Sequence, residues 1–230
     1  MDEEDTAAGS LDLAPVPRYD TLTDRTYQQL RSGLMAGSFH PGQKLTIRKI
    51  AAVLGISATP AHSAMSRLVS EQILEWGPNR SAVVPQLTAD KVRELYVIRL
   101  ALEGTAAELG APHFDAEAID ALERTQLALV AAMDRDDYKQ VLLENEEFHF
   151  ALYRAAGLPM LTQMIQSVWL KLGPSLNFLY PAYSHSRKGV HHHTMAIKAL
   201  RAGDAAAVRQ AIESDLRDGR AELTRALAGR

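Results

Sequence analysis

Four residues carry a spacing that chemistry could use. Asn145 and His149 are four apart, so on a helix they stand one above the other on a single face. His193 and Asp215 lie 11 residues before and 11 after Asp204. Gly203-Asp204 reads as the turn of an antiparallel helix pair. His193 and Asp215 then face each other at one height, about 16 Å along each helix. A third helix could bring Asn145 and His149 alongside. Two imidazoles and a carboxylate are donor types of a divalent-metal site, and with an open position such a site can activate water. Without a metal, the same residues make a polar pocket that bonds within itself or to an effector. His191 and His192 cannot join His193 there, because consecutive helical residues point about 100° apart; they are expected to be exposed or in a loop.

Arg99 is the second chemical signal. It lies within the apolar periodicity Leu95, Ile98 and Leu102, and an inward-facing arginine needs an anionic partner. Glu103, four residues on, can supply one as an internal salt bridge. The carboxylate of a small organic acid is the other possibility, with Tyr96 and Asn177 as further effector contacts. Arg154, Tyr180 and Arg187 are weaker candidates.

These residues need helices to hold them, and the composition provides them. The chain has 230 residues, 47% of them apolar, no cysteine, and 25 Lys+Arg against 28 Asp+Glu. Zero cysteine excludes a disulfide framework and any Cys-ligated zinc. No apolar stretch approaches the ~20 residues that span a bilayer. The acidic N-terminus lacks the apolar core of a secretory signal, so a soluble, cytoplasmic protein with no membrane partner is expected. Charge is divided along the chain: residues 1–18 have one arginine against five acids, 19–85 have seven basic residues against four acids, and 86–230 have 17 against 19. A small basic module ahead of a larger, slightly acidic one suggests a polyanion partner at one end.

Residues 1–17 read as a disordered tail. Apolar spacing predicts helices over about 20–36, from a Thr46 cap to Leu54, and from a Ser57 cap to Ser70. Ile73–Trp76 and Ala82–Val84 flank Gly77-Pro78-Asn79-Arg80, a hairpin signal. Three short helices and a hairpin make a winged helix-turn-helix over 18–85. Residues 86–230 predict an all-α bundle of six to seven helices, at about 89–110, 115–133, 136–156, 159–172, 175–203 and 205–228. A break falls at Gly173-Pro174, and Pro181 kinks the fifth helix or starts it.

Several runs resemble one family. GSFHPG (37–42), LTIRKIA (45–51), ISATP (56–60) and SRLVSEQIL (66–74) resemble the DNA-binding domain of GntR-type bacterial transcription regulators. LYVIRLALE (95–103), NEEFH (145–149) and HTMAIKALRAGD (193–204) resemble the FCD ligand-binding domain of its FadR-like subgroup. The resemblance implies a homodimer reading a palindromic double-stranded DNA operator. It implies a divalent metal (Zn, Ni or Mn) at Asn145, His149, His193 and Asp215, with Asn standing for the family's usual Asp and Asp for its last His. It also implies a small carboxylate effector anchored by Arg99.

Recognition helices need side chains that reach base edges or phosphates. Arg48, Lys49, Ser57, Thr59, His62, Ser63, Arg67 and Arg80 are the candidates. The family usually has arginine at positions 58 and 62 and glycine at 81; this chain has Ala58, His62 and Ser81. The resulting expectation is a ligand-responsive DNA-binding regulator and not an enzyme. The rivals are a metal-dependent hydrolase, for which no general base is placed by motif, and a helical sensor that no longer binds DNA.

Overall fold

The structure, a computed structural model, describes residues 21–78, 81–180 and 186–229. The tail expected over 1–17, Arg80 and Pro181 therefore lie outside the described residues.

The first module is built on α1 (Leu22–Met35), α2 (Ile47–Leu54) and α3 (Ala58–Ser70). Thr21 opens α1 with a capping box: its hydroxyl accepts from Asp24 N at 3.1 Å, and Asp24 Oδ2 accepts from Thr21 N at 3.2 Å. Thr46 caps α2 through a bond from Lys49 N, as expected. Ser57 holds the N-cap position of α3 but its side chain makes no cap bond. The expected hairpin is present as β2 (Glu75–Trp76) and β3 (Ser81–Val83). A third strand, β1 (Lys44–Thr46), pairs antiparallel with β3 on its other edge, Leu45 opposite Ala82. Three residues between a Pro-Gly turn and a helix are too few for alternation to show, which is why β1 has no sequence signal. Leu34, Leu45, Met65, Leu68 and Ala82 close this core.

The second module is helical: α4 (Ala89–Gly110), α5 (Ala116–Asp134), α6 (Tyr138–Ala155), α7 (Pro159–Leu176), α8 (Lys188–Ala202) and α9 (Ala205–Ala228). α4 packs against α6, α7 and α9, and α8 lies against α5 and α9. The polar Arg99 and Glu103 are among the residues α4 buries.

The expected break at Gly173-Pro174 is absent: α7 continues through it to Leu176. The pair serves close approach. A Cβ on Gly173 would stand 2.5 Å from the Leu34 carbonyl oxygen of α1, so glycine lets the two backbones touch. The helix expected over 175–203 is accordingly divided. Asn177–Leu179 form a 3-10 turn, and α8 begins at Lys188 after Arg187 in the left-handed region (φ 53).

Helix α7 fastens the two modules together. Gln166 accepts from Arg31 Nη2 at 3.2 Å, and Lys171 Nζ donates to the Glu71 and Gln72 carbonyls at 3.0 and 3.1 Å. Just past the helix end, Asn177 Nδ2 donates to the Gly37 carbonyl at 2.7 Å and lies 3.3 Å from that of Phe39.

Candidate functional site

Helix α6 presents His149, α8 presents His193 and α9 presents Asp215. The α8–α9 turn is made by Gly203 at φ 69, which gives the antiparallel register the spacing predicts. His149 Nε2 lies 3.3 Å from Asp215 Oδ2 and 3.3 Å from His193 Nε2. One ligand atom from each of the three residues falls within 4.8 Å of the other two. All three residues are buried. Asn145, one turn before His149, lines the same cavity.

A second layer orients both imidazoles. His193 Nδ1 is 2.7 Å from Gln126 Oε1, and Gln126 Nε2 donates onward to the Val190 carbonyl. Phe148 stacks on the His193 ring, centroids 3.8 Å apart. His149 Nδ1 is 3.0 Å from the Tyr153 hydroxyl, which donates to Glu103 Oε2 at 2.6 Å. Glu103 is held in turn by Arg99, through Nε at 2.5 Å and Nη2 at 3.0 Å. The Arg99 guanidinium lies over Trp169, 4.6 Å from the ring centroid.

The electrostatics follow from burial and pairing. Burial pushes His193 down to about 3, with His149 adding to the effect and Asp215 opposing it, so its imidazole is neutral at pH 7. Burial works to raise the Asp215 pKa, but the His149 hydrogen bond and the neighbouring imidazoles outweigh it and hold the carboxyl below its ordinary value. Burial also opposes the Arg99 charge, yet Glu103 keeps it fully protonated.

This donor set fits a divalent ion. Two ligands about 2.0–2.1 Å from a tetrahedral ion stand roughly 3.3 Å apart, the separation found between the two Nε2 atoms. Each imidazole spends its other nitrogen on an oxygen partner, the arrangement that turns an Nε2 lone pair inward. The cavity beside them holds about 40 Å³. That is room for an ion and one small oxygen ligand, since a water's share of liquid volume is about 30 Å³.

Of the effector candidates, Arg99 and Tyr96 line this cavity, but Arg99 is engaged by Glu103, the internal partner its spacing allowed. Asn177 is not an effector contact here: its amide is spent on the winged module. Tyr180 lines the cavity and stacks on Tyr138. Arg154 and Arg187 pair with Glu147 and Asp134 outside it. His191 is exposed on α8, and His192 pairs with Asp218 at 3.0 Å. Sequence reasoning missed Gln126 and Tyr153. Gln126 could have been found as a polar residue at an inward position between Leu122 and Leu129, and Tyr153 as the residue one turn after His149.

In the first module Arg48, Lys49, Ser57, Thr59, His62 and Ser63 are all exposed around the start of α2 and of α3. Arg67 is turned away from that face: it bonds Glu71 at 3.1 Å and lies over the Tyr27 ring on α1. Ser81 is buried, its hydroxyl donating to the Pro78 carbonyl at 2.7 Å, so it adds no protruding group to the wing.

The family model for gntR-type bacterial regulatory proteins matches residues 22–84, and the FCD domain model matches residues 94–218. The chain belongs to the GntR family and carries an FCD domain. A relative, the HTH-type transcriptional regulator McbR of Escherichia coli (strain K12), is 28% identical over 197 residues, 85% of this chain and 89% of its own. The solved structure of E. coli McbR/YncC superposes with a TM-score of 0.84, covering 89% of this chain and 98% of that one. The gluconate operon transcriptional repressor of Bacillus subtilis (strain 168) is 24% identical over 203 residues, 84% of this chain and 82% of the repressor. A putative GntR regulator from Rhodococcus sp. RHA1 shares the fold, with a TM-score of 0.72 at 23% identity over 87% of this chain and 96% of that one. These family members are transcriptional regulators and not enzymes, which sets the hydrolase reading aside. Among the described residues no helix is long and apolar enough to cross a membrane.

Proposed function

We propose that this ligand-responsive DNA-binding regulator holds a divalent metal ion on His149, His193 and Asp215, and that the loaded bundle sets the posture of its winged module. The observation that carries the reading is the 3.3 Å separation of two inward Nε2 atoms whose Nδ1 partners are already satisfied. Asn145 offers a fourth, neutral oxygen, and the ion's remaining position takes a water or one carboxylate oxygen of a small effector. α7 supplies the route to DNA, because Trp169 lines the cavity while Lys171, Gly173 and Asn177 grip the winged module.

DNA contact belongs to Arg48, Lys49, Ser57, Thr59, His62 and Ser63, together with Arg80, which the sequence pattern assigns to the wing. A winged module of this size covers one half-site, so a twofold dimer on a palindrome is the natural reader. The exposed Val97 and Leu109 of α4, and Met160 and Met164 of α7, which packs against α4, support burial of these apolar side chains by a partner copy.

The test is fluorescence anisotropy on DNA from the gene's own upstream region, with random DNA as control, on metal-stripped and zinc-loaded protein. Metal content and light-scattering mass are measured on the same samples. Tight, salt-dependent, sequence-preferring binding that changes with zinc is expected. Equal affinity for operator and random DNA would defeat the DNA assignment, and operator affinity indifferent to zinc and effector would defeat the coupling.

A further inference from the structure

The cavity beside His149 and Asp215 holds about 40 Å³, while a cleft of about 530 Å³ opens elsewhere, within the range of small-molecule sites. Its walls come from three parts of the chain: the end of α3 and β2 (Ile73, Trp76), the connector (Leu87), and the bundle (Lys91, Leu95, Lys171). The walls are mostly apolar, and Trp76 is 46% exposed. Two ammonium groups share this space. Burial weakens the Lys171 ammonium most and the positive charge of Lys91 weakens it further, while the Glu71 and Glu94 carboxylates oppose both without restoring its ordinary strength. Among the described residues Lys91 pairs with the exposed Glu94 at 2.8 Å, while Lys171 donates to the main-chain carbonyls of Glu71 and Gln72. An anion between them would relieve their mutual repulsion.

We propose that this interdomain cleft is a second ligand site, for an amphipathic organic anion whose acidic group lies between Lys91 and Lys171 and whose apolar body rests on Trp76, Leu87 and Leu95. The anion competes with the Glu71 and Gln72 carbonyls for Lys171 and so loosens a fastening between α7 and the winged module. It also touches Trp76, whose ring stacks on His62 of the DNA-facing helix at 5.9 Å. The site itself stands on geometry alone; its effect on operator binding rests on the regulator reading above.

The probe is 8-anilinonaphthalene-1-sulfonate, an apolar aromatic body bearing one sulfonate, against its uncharged counterpart N-phenyl-1-naphthylamine. Fluorescence titrations use full-length wild type, Lys91→Met and Lys171→Met, each checked for an intact melting transition. Wild type is expected to bind the sulfonate saturably and at least roughly tenfold more tightly than the neutral probe. Each variant is expected to lose about that factor for the sulfonate alone, the scale of one charge-assisted hydrogen bond. Saturable, lysine-dependent sulfonate binding is expected in both the metal-stripped and the zinc-loaded protein, because the site does not use the ion. Equal affinity for the two probes, or sulfonate affinity untouched in Lys91→Met, would overturn the site and mark the binding as general apolar adsorption. Lys91 is exposed and bonds no backbone, so its variant decides the matter even if Lys171→Met fails to fold. Operator anisotropy on the same samples separates the two proposals: a lysine-dependent sulfonate site in a protein that ignores operator DNA would refute the regulator reading and leave the site standing.

Discussion

His149 and His193 each use both ring nitrogens, Nδ1 on a protein oxygen and Nε2 turned toward the other histidine. Replacing either by alanine is expected to abolish zinc binding in a chelator competition. Tyr153→Phe keeps all three ligands but removes the hydroxyl that links His149 to Glu103. It is expected to weaken zinc by about 10–100-fold, the usual scale for an outer-shell partner; an unchanged zinc affinity would show that the link orients nothing. Acid stability carries its own sign. In the unfolded chain a histidine takes up a proton near pH 6.5, whereas folded His193 resists one down to about 3. The metal-free protein therefore keeps this stability above about pH 6.5 and loses it as pH falls toward 3. Melting curves with chelator at pH 7 and pH 5 check this, and identical midpoints would refute a neutral buried His193. The facing of His193 and Asp215 was legible at this scale because both sit in regular helices, where distance from the Gly203-Asp204 turn converts directly to height. Asn177 was misread: nothing within a few residues of it announces that its amide will meet the Gly37 carbonyl of another module.

At the scale of elements, α7 carries a closely fitted contact with α1. Gly173→Ala places a methyl against the Leu34 backbone, which cannot yield as a side chain would. A loss of about 1–3 kcal/mol is expected from overpacking alone, measurable by urea denaturation. Asn177→Ala leaves the Gly37 carbonyl without its donor, at a similar cost of about 1–3 kcal/mol, and is expected to blunt the dependence of operator binding on metal. If operator affinity in Asn177→Ala still responds to zinc as in wild type, α7 is not the route. Gly173-Pro174 shows where local rules fail. A glycine-proline pair ends most helices, and only the closeness of α1, a tertiary fact, explains why this one continues. The other long helices follow their apolar spacing closely, since caps such as Thr88 and Asp115 are local signals.

For the whole molecule, DNA affinity should be largely electrostatic, since arginine is missing at positions 58 and 62 and Arg67 is committed to Tyr27 and Glu71. Arg48→Ala is expected to weaken operator and random DNA alike and to reduce the salt slope by about one counterion. A selective loss on operator alone would instead assign Arg48 to base reading.

The seam that α7 makes with α1 also bears on how such proteins can be rebuilt. Sensor and reader halves are often treated as interchangeable cassettes cut at the connector between them. Here a cut near residue 85 would separate Gly173 from Leu34, Lys171 from Glu71 and Asn177 from Gly37. A chimaera carrying a foreign bundle would keep its connector and lose its grip, unless the bundle brought the same lysine and glycine on that helix and the asparagine just beyond it. The exchangeable unit in this chain is a winged module together with the C-terminal turns of α7 and the asparagine that follows them.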